Sequence, residues 1–167
     1  ERLRQGRPFL IFGDGALTSC KPISDADLGQ FLADCIDCPE RRNRILPIGG
    51  PGPAITPRQQ GTELFRLFGQ TPRFRHVPVS LLDTIITGLT WAGRLLPRLR
   101  DKAELAKIGR YYATESMLVF NADTGRYDAD ATPSTGEDTL FSHYARLVAR
   151  ETSVNLGAHA VFSRNTA

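Results

Sequence analysis

The chain has 167 residues, of which 41% are hydrophobic and 23% charged, and its 21 basic residues outnumber its 18 acidic ones by three. That balance supports a buried core and excludes the low-hydropathy, high-charge composition of a disordered segment. The basic residues occur in small groups, Arg41, Arg42 and Arg44 or Arg94, Arg98 and Arg100, without interleaved aromatics, so they read as solvated faces and nucleic acid is not an expected partner.

Glu1 stands where a Met would be expected and the first residues are polar, so the chain is expected to be a piece of a longer protein. Pro8 to Phe12, the turn Gly13-Asp14-Gly15 and Ala16 to Cys20 suggest a β-hairpin, because an Asp-Gly pair tolerates the positive φ of a tight turn. Ser24 is placed to cap a helix carrying Leu28, Phe31, Leu32 and Ile36 on one stripe, with Asp27 approximating a capping box and Pro39 as the stop. Cys35 and Cys38 have the spacing of a metal or redox pair. With only Cys20 besides, no second pair exists, and a structural thiol in a reducing compartment is the preferred reading.

Arg44 to Ile48 suits a short strand, at an edge or an end because Pro47 lacks an N–H. A second helix should open at Thr56 and Pro57, carry Leu64, Phe65 and Phe68 on one face, and stop at Gly69. Phe74 to Val79 reads as a strand. Ser80 is expected to cap a third helix reaching Leu95, apolar round most of its circumference and hence buried or set against a partner surface. A fourth helix, Asp101 to Tyr112, should turn Leu105 and Ile108 inward, and Ser116 to Phe120 should be extended. Asn121 to Thr135 reads as a polar loop and Glu137 to Glu151 as a last amphipathic helix. The most apolar stretch, Val77 to Leu96, is interrupted by Asp83 and Arg94 among others. It predicts no transmembrane segment, though contact with a membrane surface is compatible with it.

A dinucleotide site needs a Gly-rich turn between a strand and a helix whose amides approach the pyrophosphate. Gly49-Gly50-Pro51-Gly52 is a poor version: prolines remove donors, so a loop at a substrate or domain interface is the better reading, and no residue here is assigned to cofactor binding. The Tyr-x-x-x-Lys dyad of short-chain dehydrogenases is also missing, since Tyr111 has Glu115 and Tyr112 has Ser116 at that offset. His76, His143 and His159 have no ligand spacing, the last falling in a tail expected to be mobile, so no metal is expected; no Gly-x-Ser-x-Gly elbow suggests a hydrolase.

The run Gly109 to Met117, with Cys20 to Ser24, Leu46 to Gly52, Phe12 to Gly15, Ala113 to Leu118 and Thr132 to Ser134 in the same order, resembles the C-terminal portion of the divinyl (proto)chlorophyllide 8-vinyl reductases. These are atypical members of the short-chain dehydrogenase superfamily, and the similarity runs from about Gly6 to Phe162. The resemblance implies an α/β fold: the C-terminal half of a Rossmann-like domain over residues 1–167, with a mostly helical substrate-binding part and the dinucleotide-binding half missing. It implies reduction of an 8-vinyl group to ethyl in chlorophyll or bacteriochlorophyll synthesis, with NADPH held mainly by that missing half and divinyl chlorophyllide or protochlorophyllide as substrate. Catalytic residues are expected upstream, leaving the segment inactive alone. On this reading Lys21, Arg110, Tyr111, Tyr112, Glu115 and Met117 would be substrate-binding: of the two phenols, set on different faces of a helix end, at least one would face the macrocycle, Met117 would fill the remaining gap, and Lys21 and Arg110 would pair with the propionate carboxylate. A bacterial cytoplasm is favoured over a plastid stroma. Two rival readings are a non-catalytic dinucleotide-binding sensor of the same superfamily and an interaction module docking through the helix Ser80 to Leu96.

Overall fold

The computed structural model describes residues 2–150. The first strand, β1 (Phe9–Phe12), leads through a loop to α1 (Asp25–Asp34), a 3-10 turn (Pro39–Arg41) and α2 (Pro57–Leu67); β2 (Phe74–Val77) follows. The strands pair in parallel, Phe9 opposite Phe74 and Phe12 opposite Val77. Parallel neighbours need a crossover, and α2, packed on β1, lies in it. Next come the antiparallel helices α3 (Val79–Ala92) and α4 (Pro97–Thr114), the hairpin of β3 (Val119–Asn121) and β4 (Arg126–Asp128), and α5 (Leu140–Arg150), which packs on α2.

The helix starts follow capping chemistry. Ser24 accepts the amide of Asp27, as expected, but the Asp27 carboxylate turns outward to accept the amide of Asp138, tying α1 to the approach of α5. At α2, Thr56 accepts the amide of Gln59 and Gln59 reaches back to the amide of Thr56, with Pro57 in the first turn and Gly69 left-handed at the end. The core is centred on α2: Phe65 is wholly buried and meets Phe74 edge-on at 6.1 Å, and Gly61 lets the Phe9 and Phe74 rings approach the helix.

Several expectations change. The Asp-Gly turn forms, with Asp14 accepting the amide of Ala16, but β1 takes β2 as partner, and the chain beyond runs on to bridge Cys20 with Ile55 and with Met117. No hairpin results. Residues 44–48 form no strand: Pro47 has no N–H to donate, Ile45 is exposed, and the neighbouring Gly49 makes a single bridge to Ser134. Pro78 takes the cap position of α3, leaving Ser80 in the first turn. Helix α3 buries no residue, and Leu105 and Ile108, expected to face inward, are exposed, as are Leu32 and Ile36 of the apolar stripe expected on the first helix. On α4 the small Ala103 and Ala113 are buried instead. The polar segment after Phe120 contains β4, because Asn121 accepts the amides of Asp123 and Thr124 and Gly125 takes positive φ, closing a turn. Glu151 and His159 lie outside the described residues.

Candidate functional site

The C-terminal turn of α4 and the strand-like segment after it run beside the loop that leaves β1. Ser116 Oγ accepts the amide of Ser19 at 3.0 Å, the amide of Met117 donates to the Ser19 carbonyl at 3.0 Å, and the amide and carbonyl of Cys20 pair with Ile55. This stitching brings residues about a hundred positions apart onto one surface at the carboxyl end of β1, where parallel strands commonly present ligand sites. A cavity of about 70 Å³ lies there, lined by Ile11, Phe12, Leu17, Thr18, Tyr112 and Ala113.

Four of the expected site residues gather on this surface. Tyr111 and Tyr112 are 57% and 54% exposed, with rings edge-on at 6.0 Å, and Met117 is 54% exposed. Large apolar side chains left half in water at one place need a covering surface. Glu115 is the acceptor for Tyr127, whose hydroxyl donates to Glu115 Oε2 at 2.6 Å. That bond, partial desolvation and the nearby Tyr111 together hold the Tyr127 phenol in its neutral form, its pKa pushed up to about 12. Tyr127 stacks edge-on against Phe120 at 5.3 Å, extending the aromatic surface on to the hairpin.

The sequence does not single out Tyr127 or Phe120, because the first falls within, and the second just before, a segment whose composition reads as loop. Their alternation with the Asn121-to-Gly125 turn is the signal that could have found them.

The two expected carboxylate anchors are engaged elsewhere. Lys21 Nζ donates to the carbonyls of Thr132 at 2.8 Å and Ala129 at 3.3 Å, pinning the segment after β4. Arg110 pairs through Nε with Asp83 on α3, so its guanidinium holds the two long helices together. An ammonium has three donors, and one on Lys21 remains for a carboxylate oxygen; Arg110 keeps its terminal nitrogens.

The Gly-rich segment does not fit a dinucleotide. Gly49 and Gly50 are buried, the amide of Gly50 donates to the Lys21 carbonyl, and a Cβ on Gly50 would lie 1.7 Å from the Pro22 oxygen. Their glycines permit close packing of chain on chain. Among the described residues no cluster of His, Cys, Asp and Glu could hold a metal ion. Cys35 and Cys38 are free, the Cys38 thiol donating to Glu40 at 3.2 Å; Cys20, half-buried, has its thiol pKa raised by desolvation. A second cleft, of about 330 Å³ between the starts of α1 and α5, is lined by Ser24, Asp25, Asp138 and His143 and has no Phe, Tyr or Trp in its wall.

No family model and no solved structure matches this chain. Curated proteins do. The divinyl chlorophyllide a 8-vinyl-reductase, chloroplastic, of Oryza sativa subsp. indica is 51% identical over 148 residues, 89% of this chain and 36% of its own length. Its namesake from Zea mays is 49% identical over 87% of this chain and 36% of its own, and that from Cucumis sativus 47% identical over 97% and 39%. The chain thus spans a little over a third of the length of these relatives. All three are named chloroplastic, which gives no support to the preference for a bacterial cytoplasm. Over nearly its whole length, this chain is a relative of the divinyl chlorophyllide a 8-vinyl-reductases.

Proposed function

We propose that this chain forms the pigment-side wall of an enzyme that reduces the 8-vinyl group of divinyl chlorophyllide, or of its protochlorophyllide counterpart, to ethyl during chlorophyll or bacteriochlorophyll synthesis. The observation that carries this reading is the half-exposed aromatic and thioether surface of Tyr111, Tyr112 and Met117 at the carboxyl end of β1. A flat macrocycle covers such a surface efficiently: aromatic rings lose few rotamers on stacking, and Met adapts to the gap that is left. The names of the relatives agree with the substrate, and the same names support a plastid location.

The reductant this reading requires is NADPH, which when bound supplies hydride. The residues described do not fit it, so it and the catalytic acid are assigned to a part of the enzyme other than these residues. An α/β fold of the Rossmann type, of which this chain would be the distal portion, belongs to the same proposal; the parallel β1–β2 pair with α2 in its crossover is compatible with it. What this chain contributes is position and dryness. Tyr111 and Tyr112 hold the ring plane, Met117 and Leu17 exclude water at its edge, and Lys21 uses its remaining donor on the propionate. Neutral Tyr127 keeps Glu115 engaged in a hydrogen bond, so the aromatic surface meets the pigment without a free carboxylate in contact with it.

Titration of the chain with divinyl chlorophyllide, followed by the Soret band, tests this. Saturable binding with a shifted Soret band is expected, weakened about tenfold or more in the Tyr111→Ala/Tyr112→Ala double variant, since stacking is worth about 1 kcal/mol per ring beyond area burial. Equal binding by the double variant, with its helical circular dichroism intact, would contradict the assignment of the surface.

A further inference from the structure

The third helix, apolar round most of its circumference, buries nothing, and its chief packing partner is α4. The turn between the two helices carries Trp91, Leu95 and Leu96, which are 68%, 78% and 58% exposed. Around them stand Arg94, Arg98, Arg100 and Lys102, all exposed, with Asp101 as the one acidic residue between positions 91 and 102. Among the described residues none of the four cations takes part in an ion pair. Below them a cleft of about 430 Å³ opens between the helices, lined by Thr90, Arg94, Pro97, Arg100 and Glu104. The Glu104 carboxylate is taken by Lys107 at 2.8 Å, leaving the arginines to set the charge of the cleft.

We propose that the tip of the α3–α4 hairpin is a docking surface for a lipid bilayer containing anionic lipid. The arrangement matches the chemistry of a membrane interface at two depths. An indole and two leucyl side chains at one projecting turn suit the boundary between headgroups and acyl chains, where Trp places its ring in the apolar layer and its N–H in the polar one. Cations on the flanks lie at the level of the lipid phosphates, each near the surface contributing to attraction toward a negative leaflet. The cleft with Arg94 and Arg100 at its wall is large enough for a phosphate headgroup, and guanidinium groups bind phosphate oxygens in pairs. No helix among the described residues is long and apolar enough to cross a membrane, so the hairpin would lie in the interface. A soluble nucleic acid would need cations interleaved with several stacking rings; here one ring stands beside aliphatic side chains. This inference is independent of the pigment-binding reading, because it uses the opposite end of α4 from Tyr111 and Tyr112.

Trp91 is the one tryptophan in the chain and so reports on the tip directly. Its emission is recorded on the full chain with vesicles of phosphatidylcholine alone and of phosphatidylcholine mixed with phosphatidylglycerol. A blue shift on the mixed vesicles, quenching by lipids brominated on the acyl chains, and neither effect on phosphatidylcholine alone are the expected results. Arg94→Gln/Arg100→Gln should weaken vesicle binding several-fold, and Leu95→Ser/Leu96→Ser should abolish the blue shift while leaving circular dichroism unchanged, since both leucines are exposed. The proposal is overturned if Trp91 emission ignores anionic vesicles, or is already blue-shifted and shielded from acrylamide without lipid, as when another protein surface covers the tip. It is equally overturned if a single-stranded oligonucleotide releases the chain from vesicles beyond the effect of matched ionic strength.

Discussion

Tyr127 shows how a single side chain can be predicted from its partner. Its pKa lies near 12 against an ordinary value of 10.0, because ionisation would set a phenolate against the Glu115 carboxylate. A raised pKa means that the folded state keeps a proton the unfolded state gives up. The bond's contribution is therefore present in full below pH 10 and is lost as pH rises from about 10 to about 12. Absorbance titration of the tyrosinates should show two of the four tyrosines ionising late, Tyr127 through its bond to Glu115 and Tyr144 through burial, and Glu115→Gln should bring only the Tyr127 step back toward 10. Two late steps, both unmoved by Glu115→Gln, would contradict the Glu115–Tyr127 assignment. Phe65, wholly buried between α2 and the strands, makes the other residue-scale prediction: Phe65→Ala should destabilise the chain by about 3–5 kcal/mol in urea unfolding. The aromatic part of the candidate site was legible because Tyr111, Tyr112, Glu115 and Met117 are neighbours in sequence. The employment of Lys21 was not, since the carbonyls it binds lie more than a hundred residues away and a cation's partners leave no local pattern.

Among the elements, those with a side-chain-encoded start were the ones the sequence specified best. Thr56, Pro57 and Gly69 bound α2 within a residue of expectation, because caps act over one turn and need nothing from the rest of the chain. Thr56→Ala should therefore cost about 1 kcal/mol, a loss measurable by denaturant titration. Gly61→Ala should cost more than a cap: its methyl would sit 2.6 Å from the Phe74 ring and 2.9 Å from that of Phe9, so β1 and β2 must shift, and the melting temperature should fall further than in Thr56→Ala. The tie between α1 and the approach to α5 carries a pH sign opposite to that of Tyr127. Hydrogen bonds from Ser24 and the amides of Asp138 and Glu137 hold the Asp27 carboxyl below its usual range, so their contribution is present above that range and fades as pH falls through it. Asp27→Asn should flatten the acid limb of the stability profile. The expected Asp14-Gly15 hairpin failed because a turn sets where a chain reverses and leaves open which strand pairs with β1; β2, more than sixty residues on, took that place. The inward face assigned to α4 failed for a related reason, and of the two alternatives for α3 burial failed while a covering partner surface stays open. Periodicity marks an apolar stripe and is silent on what covers it.

At the scale of the molecule, the buried hydrophobic residues among those described are Ile11, Ile55, Phe65, Ala103 and Ala113, a small core for so long a chain, while two separate apolar surfaces face outward. One, at the carboxyl end of β1, is assigned to a pigment, and the other, at the α3–α4 turn, to a bilayer. The two assignments are compatible, since a macrocyclic pigment is itself a ligand of apolar surfaces and its enzyme gains from working where such ligands partition. The central claim is that this chain supplies the pigment wall of a vinyl reductase. The most direct measurement grafts it in place of the matching segment of the Oryza sativa reductase and incubates the folded, soluble chimera with divinyl chlorophyllide and NADPH without oxygen, following the Soret band. A blue shift as vinyl becomes ethyl, slowed at least tenfold by Tyr111→Ala/Tyr112→Ala, is the predicted result; a folded chimera that binds the pigment and leaves the vinyl group intact would contradict the account.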